Sequence, residues 1–133
     1  MHELPYGFGK RLAQSNFDSA VASVSRSLWR QGFRVVTHID VQQALQAKPG
    51  TEFRHYVILA ACNPDLMDMA LEIDPHIGLL LPCNVVVQEG HAKDLFVAAA
   101  SPRETFQFTH DPQLRSIASE AERRLRRALE DAT

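Results

Sequence analysis

Hydrophobic positions along this chain change period several times, and each change marks an element. Over 16–31, Phe17, Ala20, Val21, Val24 and Leu28 recur at spacings of three and four, which predicts a helix with one apolar face. Asn16 or Ser15 can accept from the free N–H groups of its first turn, Asp18 suits the positive end of its dipole, and Gly32 supplies a left-handed stop. Over 33–40 the period falls to two. This predicts a strand with Phe33, Val35, Thr37 and Ile39 on one side. A weaker alternation of Tyr6, Phe8, Lys10 and Leu12 around Gly7 and Gly9 predicts a strand ahead of the first helix.

Residues 41–48 predict a short helix halted at Pro49-Gly50, and 53–61 a further strand. Asn63-Pro64 opens a helix, since Asn caps the first turn and Pro at the first helical position forfeits no needed hydrogen bond. Its buried stripe is expected to be Leu66, Met67, Ala70 and Leu71, ending near Asp74-Pro75. Residues 78–82 read as an apolar loop or entering strand, and 84–89 and 95–100 as a hairpin. Residues 105–109 read as an extension of the last strand beyond a bend at Pro102. Asp111-Pro112 starts the closing helix, whose apolar face is Leu114, Ile117, Ala118, Ala121, Leu125, Ala128 and Leu129.

Short connections favour antiparallel pairing, so the expected fold is α+β. It has a single antiparallel sheet in strand-helix-four strands-helix order, two long helices on one face and small helical insertions. Residues 57–60, 85–87 and 95–98 are apolar at successive positions, so the second face also calls for a cover, and a homodimer using apolar sheet surface or its edge would supply it.

Composition narrows the class. The chain has 133 residues, 45% hydrophobic and 23% charged, which suits one folded domain over 1–133. The longest apolar stretch, 57–62, falls far short of the ~20 residues of a membrane helix, and the first five residues lack the pattern of a signal peptide. A cytoplasmic protein with no membrane partner is expected. Net charge is −2 with both signs interspersed, so no nucleic-acid partner is expected either. The run Arg123-Arg124-Leu125-Arg126-Arg127 reads as a solvated face, with Glu120 and Glu122 four residues before Arg124 and Arg126 and Arg127 four before Asp131. The one tryptophan, Trp29, reads as packing.

Gly32-Phe33, Cys62-Asn63-Pro64, Asp74-Pro75 and the run from Gly78 through Leu81-Pro82-Cys83-Asn84 to Val87 together resemble the family called domain of unknown function 302. The resemblance covers about 17–102, with the closing helix at about 111–130 beyond it, and its most specific part is Leu81-Pro82-Cys83. It implies a TATA-binding-protein-like sheet with helices on one face, a dimer, and no assigned activity. Many members carry Arg where this chain has Asn84 and an aromatic residue where it has Gln88.

Cys62 and Cys83 are the most informative pair. Cys62 precedes a helix start, where the dipole favours a thiolate, and Cys83 enters the next strand, so both are expected at one end of the sheet. Two cysteines are too few for a disulfide framework, and both also read as small buried hydrophobes. The six histidines show no metal-binding spacing, no catalytic signature is present, and no cofactor is indicated. The expected function is a small dimeric binding or accessory module whose ligand site comprises Cys62, Asn63, Cys83 and Asn84, for a small-molecule or thiol-reactive ligand. The alternative is a thiol-based redox enzyme or sensor using Cys62 or Cys83.

Overall fold

The capping residues act where the sequence puts them. In the computed structural model, which describes residues 1–46, 48–50 and 52–133, Asn16 accepts from the Ser19 N–H at 2.9 Å and starts helix α1, Phe17–Arg30. Gly32 follows at φ +85°, a conformation that side chains disfavour, and turns the chain back. Asn63 and Asp111 cap α3 (Pro64–Ile73) and α5 (Pro112–Asp131) in the same way, each with proline next. The short helix α2 is Val41–Gln46, and residue 47, inside the expected 41–48, lies outside the described residues.

Among the described residues, six strands form one antiparallel sheet. They are β1 (His2–Leu4), β2 (Gly7–Leu12), β3 (Arg34–Asp40), β4 (Tyr56–Cys62), β5 (Cys83–Glu89) and β6 (Leu95–Ala100), arranged β1-β2-β6-β5-β4-β3. The row Phe8, Ala99, Val85, Leu59 points inward. Against it pack Ala20, Val24 and Leu28 of α1 and Leu125, Ala128 and Leu129 of α5, so both long helices lie on one face. The Ser27 hydroxyl, donating to the Ala128 carbonyl, ties the two helices together. A second cluster, built from Leu66 and Ala70 of α3, Ile77, Phe106 and the first half of α5, extends the core past the strand ends.

Several local expectations are corrected. Residues 105–109 do not extend β6. Ser101 caps the one-turn helix α4 (Pro102–Thr105) by accepting from the Glu104 N–H, and Phe106–Phe108 continue it as a 3-10 turn. The stretch 78–82 includes the end of another 3-10 turn, Ile77–Leu80, before the cis Leu81–Pro82 bond. A bulge at Val36 interrupts the period of β3, so Val35 pairs inward with Ala61 whereas Thr37 and Ile39 join the outward rows. Leu71 and Trp29 are exposed rather than packed.

The sheet's other face carries the outward row Gly9, Ala98, Val86, Ile58, Ile39, and the long helices leave it open. Among the described residues, no helix is long and apolar enough to cross a membrane.

Candidate functional site

Register decides how close the two cysteines come. Ala61 lies directly opposite Cys83, so Cys62 stands one residue further along β4, at the sheet end where α3 begins. Both cysteines line one cavity at the seam between the two cores. Phe33 and Ala61 wall it on the sheet side, and Leu66, Phe106 and Ala118 wall it on the helix side. Its free volume is ≈ 30 Å³. A water needs about 10–15 Å³ on such a measure, so the space suits about two water-sized groups.

Asn63 contributes the polar feature of this wall. Its Oδ1 accepts from the Leu66 N–H at 3.2 Å, which fixes the amide's orientation. Nδ2 is buried and has no hydrogen-bond partner among the described residues. Gly32 leaves space for the amide, because a Cβ there would meet Nδ2 at 3.0 Å. An unmade buried N–H costs about 1–3 kcal/mol, so the position is energetically open to an acceptor.

The helix start does not favour thiolates here, contrary to expectation. Burial raises the Cys62 thiol above its ordinary value. Burial, and then the charge of an ionised Cys62, pushes Cys83 up to about 11. The physical reason is that desolvation prevails, while one first-turn donor, Leu66 N–H, is already taken by Asn63.

Asn84 separates from the other three expected site residues. It lies opposite Ala60 on the outward side, exposed, and does not line the cavity. It borders two surface hollows instead. One, of ≈ 250 Å³, lies beside Leu79, Pro82 and Phe106 and shares Leu81 and Cys83 with the cavity. The other is a trough of ≈ 230 Å³ on the open face. Phe106, Pro102 and the α5 residues Ile117, Ala118 and Ala121 were absent from the sequence-based site. Only the Ser101-Pro102-x-Glu104 start of α4 signalled locally that this segment turns back over the sheet end.

The remaining candidates resolve into structural contacts. Arg123 and Arg124 both bind Glu120 on the solvated face, whereas Arg126 binds Glu122, whose side chain is buried rather than solvated, and the expected Arg127–Asp131 pair is not among the ion pairs of the described residues. Arg126 instead clamps Glu3 of β1 through two bonds of 2.9 and 2.7 Å. His76 is exposed, and His55 stacks on Phe17 with ring centroids 5.1 Å apart. Among the described residues, no group of three His, Cys, Asp or Glu side chains is placed to hold a metal ion.

A family model described as Domain of unknown function DUF302 matches residues 8–132, a longer span than the motifs alone suggest. A solved structure, that of an uncharacterized conserved protein of this description from Bacillus stearothermophilus, is similar with a TM-score of 0.89 at 25% sequence identity. The likeness covers 98% of this chain and 100% of that one. No curated protein matches.

Proposed function

This chain belongs to the domain of unknown function 302 family, and from that premise we propose that it is a small-molecule binding module whose site is the cavity bordered by Cys62, Asn63 and Cys83. The carrying observation is the buried Asn63 Nδ2 without a partner, on a wall that is otherwise almost wholly apolar. Such a site suits a small apolar group bearing one hydrogen-bond acceptor. Asn84 belongs to the adjoining hollow, where the rest of a longer ligand would lie. Thiol-redox chemistry gains no support, because burial opposes the thiolate it requires.

Methanol carries one acceptor oxygen and one methyl group, the two water-sized groups that the cavity has room for, and serves as the probe. In ¹H–¹⁵N NMR titrations it should shift the Asn63 side-chain amide together with the Leu66 and Ala118 backbone amides. Asn63→Asp keeps a capping oxygen and replaces the amide donor with an acceptor, and should abolish the response with folding retained. Methanol shifts that survive in that variant, or none in the natural chain, would defeat this reading.

The module is further proposed to be a homodimer formed at the β3 margin, where Val36 and Ile39 are 61% and 52% exposed. Light scattering should give twice 14.9 kDa. Ile39→Lys should halve that mass, and a monomer at every concentration removes the proposal.

A further inference from the structure

The two faces of the sheet differ in charge as well as in cover. Every strand carboxylate, Glu3, Asp40 and Glu89, sits in an inward row, opposite Phe8, Val57 and Leu95 respectively. The outward rows carry Arg11, opposite Phe96, and Arg34, opposite Cys62, and no carboxylate. A chain of net charge −2 therefore keeps its strand carboxylates off the apolar outward face.

On that face the trough has a floor of Gly7, Val86 and Ala98, with Tyr6 and Tyr56 among its borders. Gln88 forms part of its wall. The Arg54 guanidinium donates to Gln88 Oε1 from Nε at 3.3 Å and from Nη2 at 3.0 Å, so it reaches the trough's rim. It also lies over two rings, 4.5 Å from the Phe53 centroid and 5.4 Å from that of Tyr56. Arg11 pairs with Asp94, but Arg54 makes no ion pair among the described residues. The two rings and the Gln88 bonds hold the guanidinium in place with donors to spare, as binding a carboxylate requires.

We propose that this trough binds a small amphiphilic carboxylate, with its apolar body over Val86 and Ala98 and its carboxylate on Arg54. The site is separate from the Cys83 cavity and does not depend on it. The trough's ≈ 230 Å³ accommodates a short chain rather than a macromolecule. No outward strand position among the described residues carries a carboxylate that would repel such a head group.

Octanoate and 1-octanol, with the same chain and different heads, test this by NMR titration of the full chain. Octanoate should shift the Val86, Ala98 and Ala100 amides and bind more tightly than octanol. Arg54→Gln should weaken octanoate by about tenfold or more, as loss of a charge-assisted bond implies, and leave octanol unchanged. Ala98→Leu, which fills the trough, should weaken both. Equal binding of the two probes, an octanoate affinity indifferent to Arg54→Gln, or shifts confined to the Cys83 cavity would overturn the proposal. So would retention on heparin that Arg54→Gln removes while octanoate produces no shift, since the partner would then be a polyanion.

Discussion

Cys83 gives the sharpest physical test of the cavity. Its thiol is pushed from an ordinary 9.0 to about 11, first by burial and then by the charge of Cys62. In a Cys62→Ser chain the larger cause, burial, remains. At pH 7.5 a thiol at about 11 is about 0.03% thiolate, against about 3% at the unfolded chain's 9.0, so with the smaller Cys62 cause removed methyl methanethiosulfonate should react up to about 100-fold more slowly with the folded protein. Stability carries the same signature. The folded value lies above the unfolded one, so the contribution is fully present below about 9 and is lost as pH rises toward about 11, by about 2–3 kcal/mol in all. The assay is urea unfolding at a series of pH values, taken as the difference between Cys62→Ser and Cys62→Ser/Cys83→Ala, which cancels the other groups that titrate there. A folded-state reaction profile with its midpoint at or below 9, or no pH-dependent difference between the two chains, would refute the claim that burial governs this thiol.

Three further outcomes follow from packing and charge. Glu122 is buried and accepts from the Ser101 hydroxyl, the Arg103 N–H at 3.1 Å and Arg126 Nε at 3.2 Å. Glu122→Gln should cost about 2–3 kcal/mol in urea unfolding, and an unchanged midpoint would show that these bonds contribute nothing. A Cβ at Gly9 would stand 2.6 Å from the Val97 carbonyl oxygen, so Gly9→Ala must part β2 from β6 and should destabilise by about 1–3 kcal/mol. Gly50→Ala meets nothing within 4 Å and should cost about 1 kcal/mol or less, for its φ of +77° alone; equal effects at the two glycines would contradict this. Arg123 and Arg124 hold Glu120 down to about 2, so these ion pairs persist above the ordinary carboxyl value and dissolve as pH falls toward 2. A carboxyl ¹³C titration of Glu120 centred near 4.5 would contradict that.

Elements announced by their own residues were legible in the sequence. Asn16, Asn63-Pro64 and Asp111-Pro112 are local signals, and each begins a helix because an N-cap needs only its own first turn. The hairpin read over 84–89 and 95–100 is present as the antiparallel pair β5 and β6. What failed depended on neighbours distant in sequence. Three-residue β1 is too short to show a period, and it is defined by pairing with β2 and by Arg126 of α5. Phe106 and Phe108 alternate as strand residues would, but Phe106 is drawn into the second core while Phe108 stays 77% exposed. The cysteines' nearness was readable from strand order. The cavity was not, since α5 closes it from the far end of the chain.

Strand β1 has a consequence of its own. It pairs with one neighbour only, all three of its residues are exposed, and its side-chain anchor to the helices is the Glu3–Arg126 pair, whose guanidinium also lies 4.2 Å over the Phe8 ring. An exposed ion pair is screened by salt, whereas the Phe8 core beneath it is not. Hydrogen exchange should therefore show β1 as a separate opening unit, released at low free energy and earlier as ionic strength rises, while β2 exchanges only with the core. Because Leu4 and Tyr6 border the trough, each such opening would also widen it, making salt concentration a control on access to the open face.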